Sequence, residues 1–421
     1  MRKIKVLWFT NTPSGASKIL SHTNFFGGWL NSLEKELAKS KSIDLSICFY
    51  YKKQINCISA NNVTYFPIKR KILSNKFLLV CSNIFNYSDD NRELIELKKI
   101  VEIVNPDIIH IHGTEDNFGL LTNSISNTPI IISIQGLLNP CLEMYYNGIP
   151  KFYSIFYEPI RNFLFFSSTF WNFRSFRKKS LRELKILKNT RYITGRTKFD
   201  KSVTRLLAPN SVYFENNEIL RDAFYKNKFP NTKIKGSIKV VSIISNGHYK
   251  GLETLVKSFY YLKRNTDLKI SWNVIGLSKS DSYVKFTFNY LGISLKNSEI
   301  KFLGRKKPKE ILNIFNLSDV YCQSSHIENS SNSLCEAMIS GIPIIASFAG
   351  GTSSLFNDKS EGLLYQSGDS FSLAGCLMQI NTNYENAISK AKLAKNRAIS
   401  RHDKKTISEN LINIYNEIIK K

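Results

Sequence analysis

Short apolar segments alternate with amphipathic ones along this chain of 421 residues, and the alternation runs twice. In the first half, a strand is predicted at 3–10, and amphipathic helices are predicted at 29–38 and 92–104. After a polar, basic stretch the same order restarts, with a strand predicted at 238–244 and a helix at 252–262. Such alternation is typical of parallel sheets covered on both faces. The chain is therefore predicted to be an α/β protein of two doubly wound domains, with ligands expected in a cleft between facing domains.

The charge of the chain is strongly positive and unevenly spread. The 59 Lys and Arg residues outnumber 33 Asp and Glu, which gives a formal net charge of +26. Residues 151–250 alone carry 21 basic and 6 acidic side chains. An excess of this size predicts an anionic partner, such as a nucleotide, a nucleic acid or an acidic lipid.

Cysteine usage and hydropathy predict a cytoplasmic protein. The 7 cysteines are scattered and form no Cys-x-x-Cys pair, which argues against a disulfide framework or a zinc site and indicates a reducing compartment. The apolar run at 6–9 is too short for a signal peptide, and no stretch reaches the roughly 18 apolar residues of a membrane span. The chain is predicted to be soluble or peripheral.

The most unusual stretch of the chain is rich in aromatic residues. Between Phe152 and Phe176, 11 of 25 residues are aromatic, and a basic run follows as far as Lys188. One interpretation is a buried aromatic helix pair followed by an exposed basic helix. Another is a membrane-proximal segment over 152–188, whose aromatic face enters the headgroup region while its cations meet anionic lipid. Stacking on nucleic-acid bases is a third, but no nucleic-acid motif is present.

The segment from Ser324 to Gly351 carries the most chemical information. A strand at 319–322 is followed by a polar loop and then by a helix that Asn332 or Ser333 is predicted to cap. The backbone N–H groups at the helix start, through Leu334, would form a seat for a diphosphate. Glu328 stands in the loop and Glu336 is predicted in the first helical turn. One carboxylate can therefore reach the sugar of a bound nucleotide sugar, and the other its ribose.

This segment, together with Lys250-Gly251, resembles glycosyltransferase family 4, the retaining, nucleotide-sugar-dependent group with the GT-B fold. The resemblance covers nearly the whole chain and is most specific over 301–365. It implies that Glu328 lies near the transferred sugar, Glu336 contacts the ribose and Lys250 pairs with the diphosphate. Glu328 and Lys250 are thus the predicted catalytic residues. The resemblance also implies that no metal and no other cofactor is needed, with the lysine and the helix dipole taking the place of an ion.

Two positions depart from the family pattern. Ser245 stands where the family usually has an arginine, so Arg305 or Arg196, or else His248, is predicted to supply the second cation to the donor phosphates. For Arg196 the alternative is a helix-capping and salt-bridging cluster with Asp200. Gln135 stands where many members have a histidine near the sugar; its amide can bond a sugar hydroxyl but cannot shuttle a proton at neutral pH.

Further candidates lie in the first half of the chain. The resemblance places Gly27-Gly28, at the start of a helix, over the donor diphosphate. His110 and His112 alternate with isoleucines, so both are predicted to face one side of the sheet, where core hydrogen bonding, acceptor contact and metal binding are open alternatives. His112, Gln135 and Gly136 are the predicted acceptor-binding residues.

The predicted organisation has four parts. An acceptor-binding domain spans 1–224, a linker spans 225–237, a donor-binding domain spans 238–400, and a last helix over 401–421 packs back on the N-terminal domain.

The predicted function is what the resemblance implies, and the pattern over 194–200 is similar to a branch of the family seen among bacterial surface-polysaccharide enzymes. The protein is expected to move a monosaccharide from a nucleotide sugar to a hydroxyl of a lipid-linked glycan, with retention, in bacterial capsule, O-antigen or exopolysaccharide (lipopolysaccharide-type) assembly. It is predicted to be a monomer or weak dimer, peripheral on the cytoplasmic face of the inner membrane. A nucleotide-sugar epimerase of the same fold and a non-catalytic scaffold remain alternatives.

Overall fold

The structure is a computed structural model that divides into two compact units. It describes residues 2–20, 28–53, 55–69, 90–156, 158, 160–166, 168–230 and 236–420. The first unit comprises Met1–Leu142, Trp171–Ile219 and His402–Lys421, and the second comprises Glu143–Phe170 and Leu220–Arg401.

The first unit is built on an eight-stranded sheet with the order β3-β4-β2-β1-β5-β6-β7-β8. Its pairings are parallel except for the antiparallel pair of β3 and β4. The strands are short and apolar because both faces of the sheet are covered. They are β1 Ile4–Thr10, β2 Ile43–Tyr51, β3 Ile58–Ala60, β4 Val63–Lys69, β5 Ile108–His112, β6 Ile130–Ser133, β7 Tyr192–Gly195 and β8 Val212–Glu215.

The helices that precede or connect these strands include the two predicted at 29–38 and 92–104, with bounds that differ by one or two residues. They are α1 Ser17–Leu20, α2 Gly28–Leu37, α3 Asp90–Val104, α4 Leu138–Glu143, α5 Lys151–Phe156, α6 Ile160–Leu164, α7 Thr169–Lys188 and α8 Lys198–Leu207. Two 3-10 turns, Ser14–Ala16 and Asn117–Asn123, complete the described part of this half.

The second unit contains a six-stranded parallel sheet with the order β11-β10-β9-β12-β13-β14. Its strands are β9 Ser237–Ile243, β10 Lys269–Ile275, β11 Ile300–Phe302, β12 Val320–Gln323, β13 Ile344–Phe348 and β14 Leu363–Gln366. Its helices are α9 Asp222–Tyr225, α10 Leu252–Asn265, α11 Ser282–Tyr290, α12 Pro308–Asn316, α13 Asn332–Ser340, α14 Ser370–Thr382 and α15 Tyr384–Arg401. The 3-10 turns are His248–Lys250 and Thr352–Ser354.

The chain returns to the first unit at its end, as predicted. Helix α16, Lys404–Ile419, places an apolar stripe in the core on one face of the first sheet. Tyr415 is fully buried there, and its hydroxyl accepts a hydrogen bond from Trp8 Nε1 at 3.0 Å. The last helix is therefore part of the first core.

Two boundaries differ from the predicted ones. Leu220 and Phe224 lie in the core of the second unit, so this unit begins before the predicted linker. Residues 143–170, predicted in the N-terminal domain, also belong to the second unit. The ring of Tyr153 packs against those of Phe286 and Tyr290, with centroids 5.7 and 4.8 Å apart. These partners lie more than a hundred residues away along the chain, so no local pattern reveals the contact.

No helix in the described part of the chain is long and apolar enough to cross a membrane.

Candidate functional site

Lys250 and Glu328 meet at the carboxyl end of the second sheet. Lys250 ends the 3-10 turn after β9, and Glu328 lies in the loop after β12, which neighbours β9 in the sheet. The Lys250 Nζ and Glu328 Oε1 atoms are 2.6 Å apart, and Ser325 Oγ donates to the same oxygen at 2.8 Å. The structure thus brings together the two residues predicted to be catalytic. A cation and a carboxylate at one strand edge can hold a charged, polyhydroxylated ligand.

Two glycines allow the loops around this pair to approach closely. Gly251 has φ +69, and a Cβ there would lie 1.9 Å from the carbonyl oxygen of Ser324. Gly350 has φ +53, and a Cβ there would lie 2.1 Å from the carbonyl oxygen of Glu328. Both positions need the left-handed conformation and the absence of a side chain. The glycine after Lys250 is therefore required for steric reasons, while Lys250 itself is required for its charge.

Glu336 is held by an arginine that the sequence analysis did not include among the site residues. Arg221 donates from Nε and Nη2 to the two carboxylate oxygens of Glu336, each at 2.6 Å. Burial raises the pKa of Glu336, and the hydrogen bonds and charge of Arg221 oppose that shift. Each carboxylate oxygen has a second lone pair, so the pair can still accept from ribose hydroxyls. The two carboxylates of the motif thus each have their own cation.

The start of α13 differs in detail from the prediction. Ser331, rather than Asn332 or Ser333, occupies the N-cap, and no side-chain capping bond is made there. Ser333 Oγ instead accepts from the Tyr321 hydroxyl at 2.9 Å, and Glu336 lies in the second turn. Asn332 Oδ1 is buried without a hydrogen-bond partner among the described residues. Glu328 lies in the loop that leads into this helix, and Glu336 lies in its second turn, so both carboxylates belong to the segment around the positive end of the helix.

Leu334, which was also predicted to bind the donor, has a side chain that belongs to the core. Its side chain is fully buried in a core cluster of the second unit. Only its backbone can therefore face a ligand, because the first amides of a helix have no intrahelical partner.

Arg305 is positioned at the same sheet edge as the Lys250 turn. It follows Gly304, whose backbone N–H bonds to the carbonyl of Leu277 after β10. Its side chain is exposed and makes no ion pair with a residue that the structure describes. Ser245, at the family's arginine position, is exposed in the loop after β9. Of the two arginines predicted to supply the second cation, Arg305 is the one that lies in the second unit.

The predicted acceptor residues line the carboxyl edge of the first sheet. His112 ends β5 and is fully buried, with its ring 4.0 Å from that of His110. Both histidines therefore face one side of the sheet, as predicted. Burial is the largest of the effects that lower the pKa of His112 well below its usual value, so the ring is neutral at pH 7. Gln135 and Gly136 follow β6 and are partly exposed.

His110 has a structural role in the first core. Its Nδ1 lies 2.6 Å from the Tyr415 hydroxyl, and its Nε2 lies 2.6 Å from Ser133 Oγ. Burial lowers the pKa of His110 to about 3. Core hydrogen bonding, one of the predicted alternatives, is thus what the structure shows for this residue.

Glu115 is a further carboxylate at this edge that the sequence analysis did not select. Its Oε2 accepts from Asn11 Nδ2 at 3.1 Å, and its Oε1 would lie 3.9 Å from a Cβ at Gly136. A Cβ at position 113 would lie 2.0 Å from Oε2, so the carboxylate fits in this turn only because residue 113 is a glycine. Burial raises the pKa of Glu115 to about 7. The signal for it was its position just after the end of a strand.

Arg196 lies inside the first unit. Its side chain is 4% exposed, its Nε is 3.5 Å from Glu218 Oε2, and its guanidinium carbon is 4.1 Å from the Trp29 ring centre. Asp200 accepts from the backbone N–H of Arg196 and forms a capping box with Thr197. The capping cluster that was predicted as the alternative is therefore present, with Glu218 as the partner of the guanidinium.

The glycine pair falls partly outside the structure. Gly27 lies outside the described residues. Gly28 is the first residue of α2, with φ +42 and an exposed backbone.

A family model matches the second half of the chain. Residues 224–398 match the model described as "Glycosyl transferases group 1". This range includes Lys250, Arg305, Glu328 and Glu336. The second unit is thus similar to the corresponding part of group 1 glycosyltransferases. No curated protein sequence matches the chain at a significant level.

Solved structures resemble the chain over nearly its full length. A sucrose-phosphate synthase from Thermosynechococcus elongatus has a TM-score of 0.69 at 13% identity, covering 99% of both chains. HepE from Anabaena, solved in complex with UDP-glucose, has a TM-score of 0.62 at 15% identity, covering 98% of this chain and 100% of that one. WaaG, described as a glycosyltransferase involved in lipopolysaccharide biosynthesis, has a TM-score of 0.63 at 11% identity, covering 97% and 99%. The fold is therefore GT-B, as the sequence predicted.

Proposed function

We propose that this protein is a retaining glycosyltransferase that moves a monosaccharide from a nucleotide sugar to a hydroxyl of a lipid-linked glycan. The observation that carries the proposal is the arrangement of Lys250, Glu328, Glu336 and Arg221 at the carboxyl edge of the second sheet, within a segment similar to group 1 glycosyltransferases. The relative with bound UDP-glucose supports a nucleotide-sugar donor. The relative that acts in lipopolysaccharide biosynthesis supports a role in bacterial surface-polysaccharide assembly, with capsule and O-antigen as the pathways tested first.

The proposed chemistry follows from the charges at this edge. Cleavage of the sugar–phosphate bond leaves negative charge on the diphosphate, which the Lys250 ammonium, the start of α13 and Arg305 stabilise. Glu328 lies 2.6 Å from that ammonium and orients the sugar beside the breaking bond. Glu336, fixed by two hydrogen bonds from Arg221, accepts from the ribose. The leaving phosphate removes the proton of the acceptor hydroxyl. No residue is proposed as a nucleophile, and no metal takes part in the proposed step.

Donor binding is tested by thermal denaturation with UDP and with GDP. We expect one of them to raise the melting temperature, since a ligand at 100 times its Kd stabilises the folded state by about 2.7 kcal/mol. Glu336→Ala should abolish this ligand-induced rise because the ribose loses its acceptor.

The matched control for this test is Glu361→Ala. Glu361 also pairs with an arginine, Arg397, at 2.6 Å in the second unit, but it lies before β14, at the amino edge of the sheet. That variant should keep the full rise. An absence of any shift with either nucleotide would remove the basis of the donor site. Interconversion of a nucleotide sugar without transfer would instead indicate an epimerase.

The aromatic segment supports a peripheral location on an anionic membrane, the cytoplasmic face of the inner membrane in the proposed pathway. Among its described side chains several large apolar ones are exposed, which argues against a fully buried helix pair. They are Phe152 at 68%, Ile160 at 78%, Phe163 at 45%, Leu164 at 65% and Phe165 at 74%. The basic run of α7 follows directly in the sequence. Exposed apolar side chains followed by cations are typical of interfacial segments.

Membrane binding is tested by co-sedimentation with vesicles of phosphatidylglycerol and phosphatidylcholine. We expect binding that high salt releases, and weaker binding for Arg177→Ala combined with Lys179→Ala. Each cation near an anionic surface contributes about 1 kcal/mol, so the double variant should bind about 30-fold more weakly. Lys52→Ala with Lys53→Ala, which removes two exposed lysines elsewhere, is the control. Equal partition of both double variants would contradict the proposed docking role of α7.

A further inference from the structure

A buried histidine–glutamate pair lies directly beside the Lys250–Glu328 pair and has no part in the chemistry proposed above. His326 precedes Glu328 by two residues in the loop after β12, and Glu253 follows Lys250 by three residues in the first turn of α10. The His326 Nε2 and Glu253 Oε1 atoms are 2.7 Å apart, and each side chain is 1% exposed. The pair therefore joins the two segments that carry the predicted catalytic residues.

Two further contacts join the same segments. The backbone N–H of His326 donates to the carbonyl oxygen of Tyr249 at 2.7 Å. Ser324 Oγ donates to the carbonyl oxygen of Lys250 at 3.0 Å. Both contacts restrain the backbone next to Lys250. The histidine–glutamate pair differs from them because it joins a side chain of the loop to a side chain of α10.

Two glycines and a serine pack closely around the histidine–glutamate pair. Gly148 has φ +86, and a Cβ there would lie 2.2 Å from Glu253 Oε1 and 2.8 Å from His326 Nε2. Gly368 has φ +82, and a Cβ there would lie 3.3 Å from His326 Cε1. Ser367 Oγ lies 3.3 Å from His326 Nδ1. The pair is thus enclosed by two glycine turns, one of them from the segment 143–170 that packs in this unit.

A contribution to stability alone does not account well for such a pair. The desolvation free energy of two buried ionisable groups is about as large as the free energy of their attraction. Buried pairs are therefore often no more stabilising than apolar residues of similar volume. Their directional hydrogen bond, however, fixes one geometry, and a misplacement of about 1 Å at a reacting centre can cost about 100-fold in rate.

We propose that His326 and Glu253 are positioning residues, which hold the Lys250 turn and the Glu328 loop at the spacing that donor cleavage requires. The proposal rests on the proposed transferase function. It is tested with His326→Leu, which removes the hydrogen bond, and with His326→Gln, whose amide N–H can still donate to Glu253. The control is Asn227→Leu. Asn227 is a buried polar residue that bonds to the carbonyl of Ser340 at 2.9 Å, at the end of α13 remote from Glu328.

The first readout is the hydrolysis of UDP-glucose, or of the nucleotide sugar that the protein cleaves fastest. We expect His326→Leu to lower kcat about 100-fold while the Kd for UDP stays within about 3-fold. His326→Gln should recover most of kcat. Asn227→Leu should lower the melting temperature without lowering kcat. An unchanged kcat in His326→Leu, or an equal loss in Asn227→Leu at a temperature where both are folded, would overturn the proposal.

The second readout does not need activity. An ammonium held 2.6 Å from a carboxylate reacts slowly with acetic anhydride, because it is protonated and shielded. Peptide mass spectrometry should show faster acetylation of Lys250 in His326→Leu than in the wild type or in Asn227→Leu. Glu328→Gln, which removes the carboxylate charge next to Lys250, gives the fastest acetylation expected. If the wild type cleaves no nucleotide sugar, the proposed function fails and this rate still decides the positioning role. Equal acetylation of Lys250 in all variants would contradict it.

Discussion

We expect Lys250→Ala to lower the rate of nucleotide-sugar cleavage about 100- to 1000-fold, the range seen when one preorganised group facing a developing anion is removed. The ammonium is the cation that contacts Glu328, at 2.6 Å, and it stands at the strand edge where the diphosphate is expected. Without it, charge on the leaving diphosphate develops with less compensation, and Glu328 loses one of the partners that orient it, although the bond from Ser325 Oγ remains. The measurement is kcat for hydrolysis of a nucleotide sugar, taken with the melting temperature of the variant.

The control for this variant is Lys263→Ala. Lys263 also pairs with a glutamate of the second unit, Glu299, but both side chains are largely exposed. An exposed pair contributes at most about 1 kcal/mol to folding stability, so this variant should stay folded. Because neither residue belongs to the proposed site, its activity should stay within about 3-fold of the wild type. Retention of activity in Lys250→Ala to the same degree would show that this ammonium does not stabilise the leaving group.

The second large effect is expected from Gly251→Ala. The new Cβ would lie 1.9 Å from the carbonyl oxygen of Ser324, a backbone atom, at a residue with φ +69. Left-handed strain costs about 1–2 kcal/mol, and overpacking typically adds about 1–3 kcal/mol. We therefore expect a loss of about 2–5 kcal/mol in the free energy of unfolding, and weaker UDP binding because the Lys250 turn must move away from the loop. Urea denaturation and UDP titration measure the two effects.

Gly292→Ala is the control that separates the backbone strain of a left-handed residue from the steric clash of the new Cβ. Gly292 has a similar φ of +66, but a Cβ there would have no atom within 4 Å. This variant should lose only the conformational part, about 1–2 kcal/mol, and should bind UDP normally. Equal destabilisation of the two variants would mean that the contact between Gly251 and Ser324 is not the constraint described above.

Some of the site could be predicted because it is local in the sequence. Glu328 and Glu336 are separated by one loop and the start of one helix, and Lys250-Gly251 follows a strand in the same way. Parallel strands end at one edge of a sheet, so strand-end residues of neighbouring strands meet there. The strand order, with β9 beside β12, is what brings Lys250 to Glu328.

Other parts of the site could not be predicted, because the partners are distant along the chain. Arg221 binds Glu336 across 115 positions. The guanidinium of Arg196 pairs with Glu218, whereas Asp200 accepts from the backbone N–H of Arg196. Leu334 was selected for its place at a helix start, but the packing of α13 directs its side chain into the core.

The amino-acid sequence alone determined the alternation of strands and helices, the two-domain α/β class and the residues that end the strands. These depend on the period of apolar side chains and on turn residues, which act between near neighbours. The tertiary structure decided that residues 143–170 pack in the second unit and that Arg221 is the partner of Glu336. It also decided that His326 and Glu253 form a buried pair. Such contacts depend on which surfaces fit together once the sheets have formed, and no spacing along the chain encodes that fit.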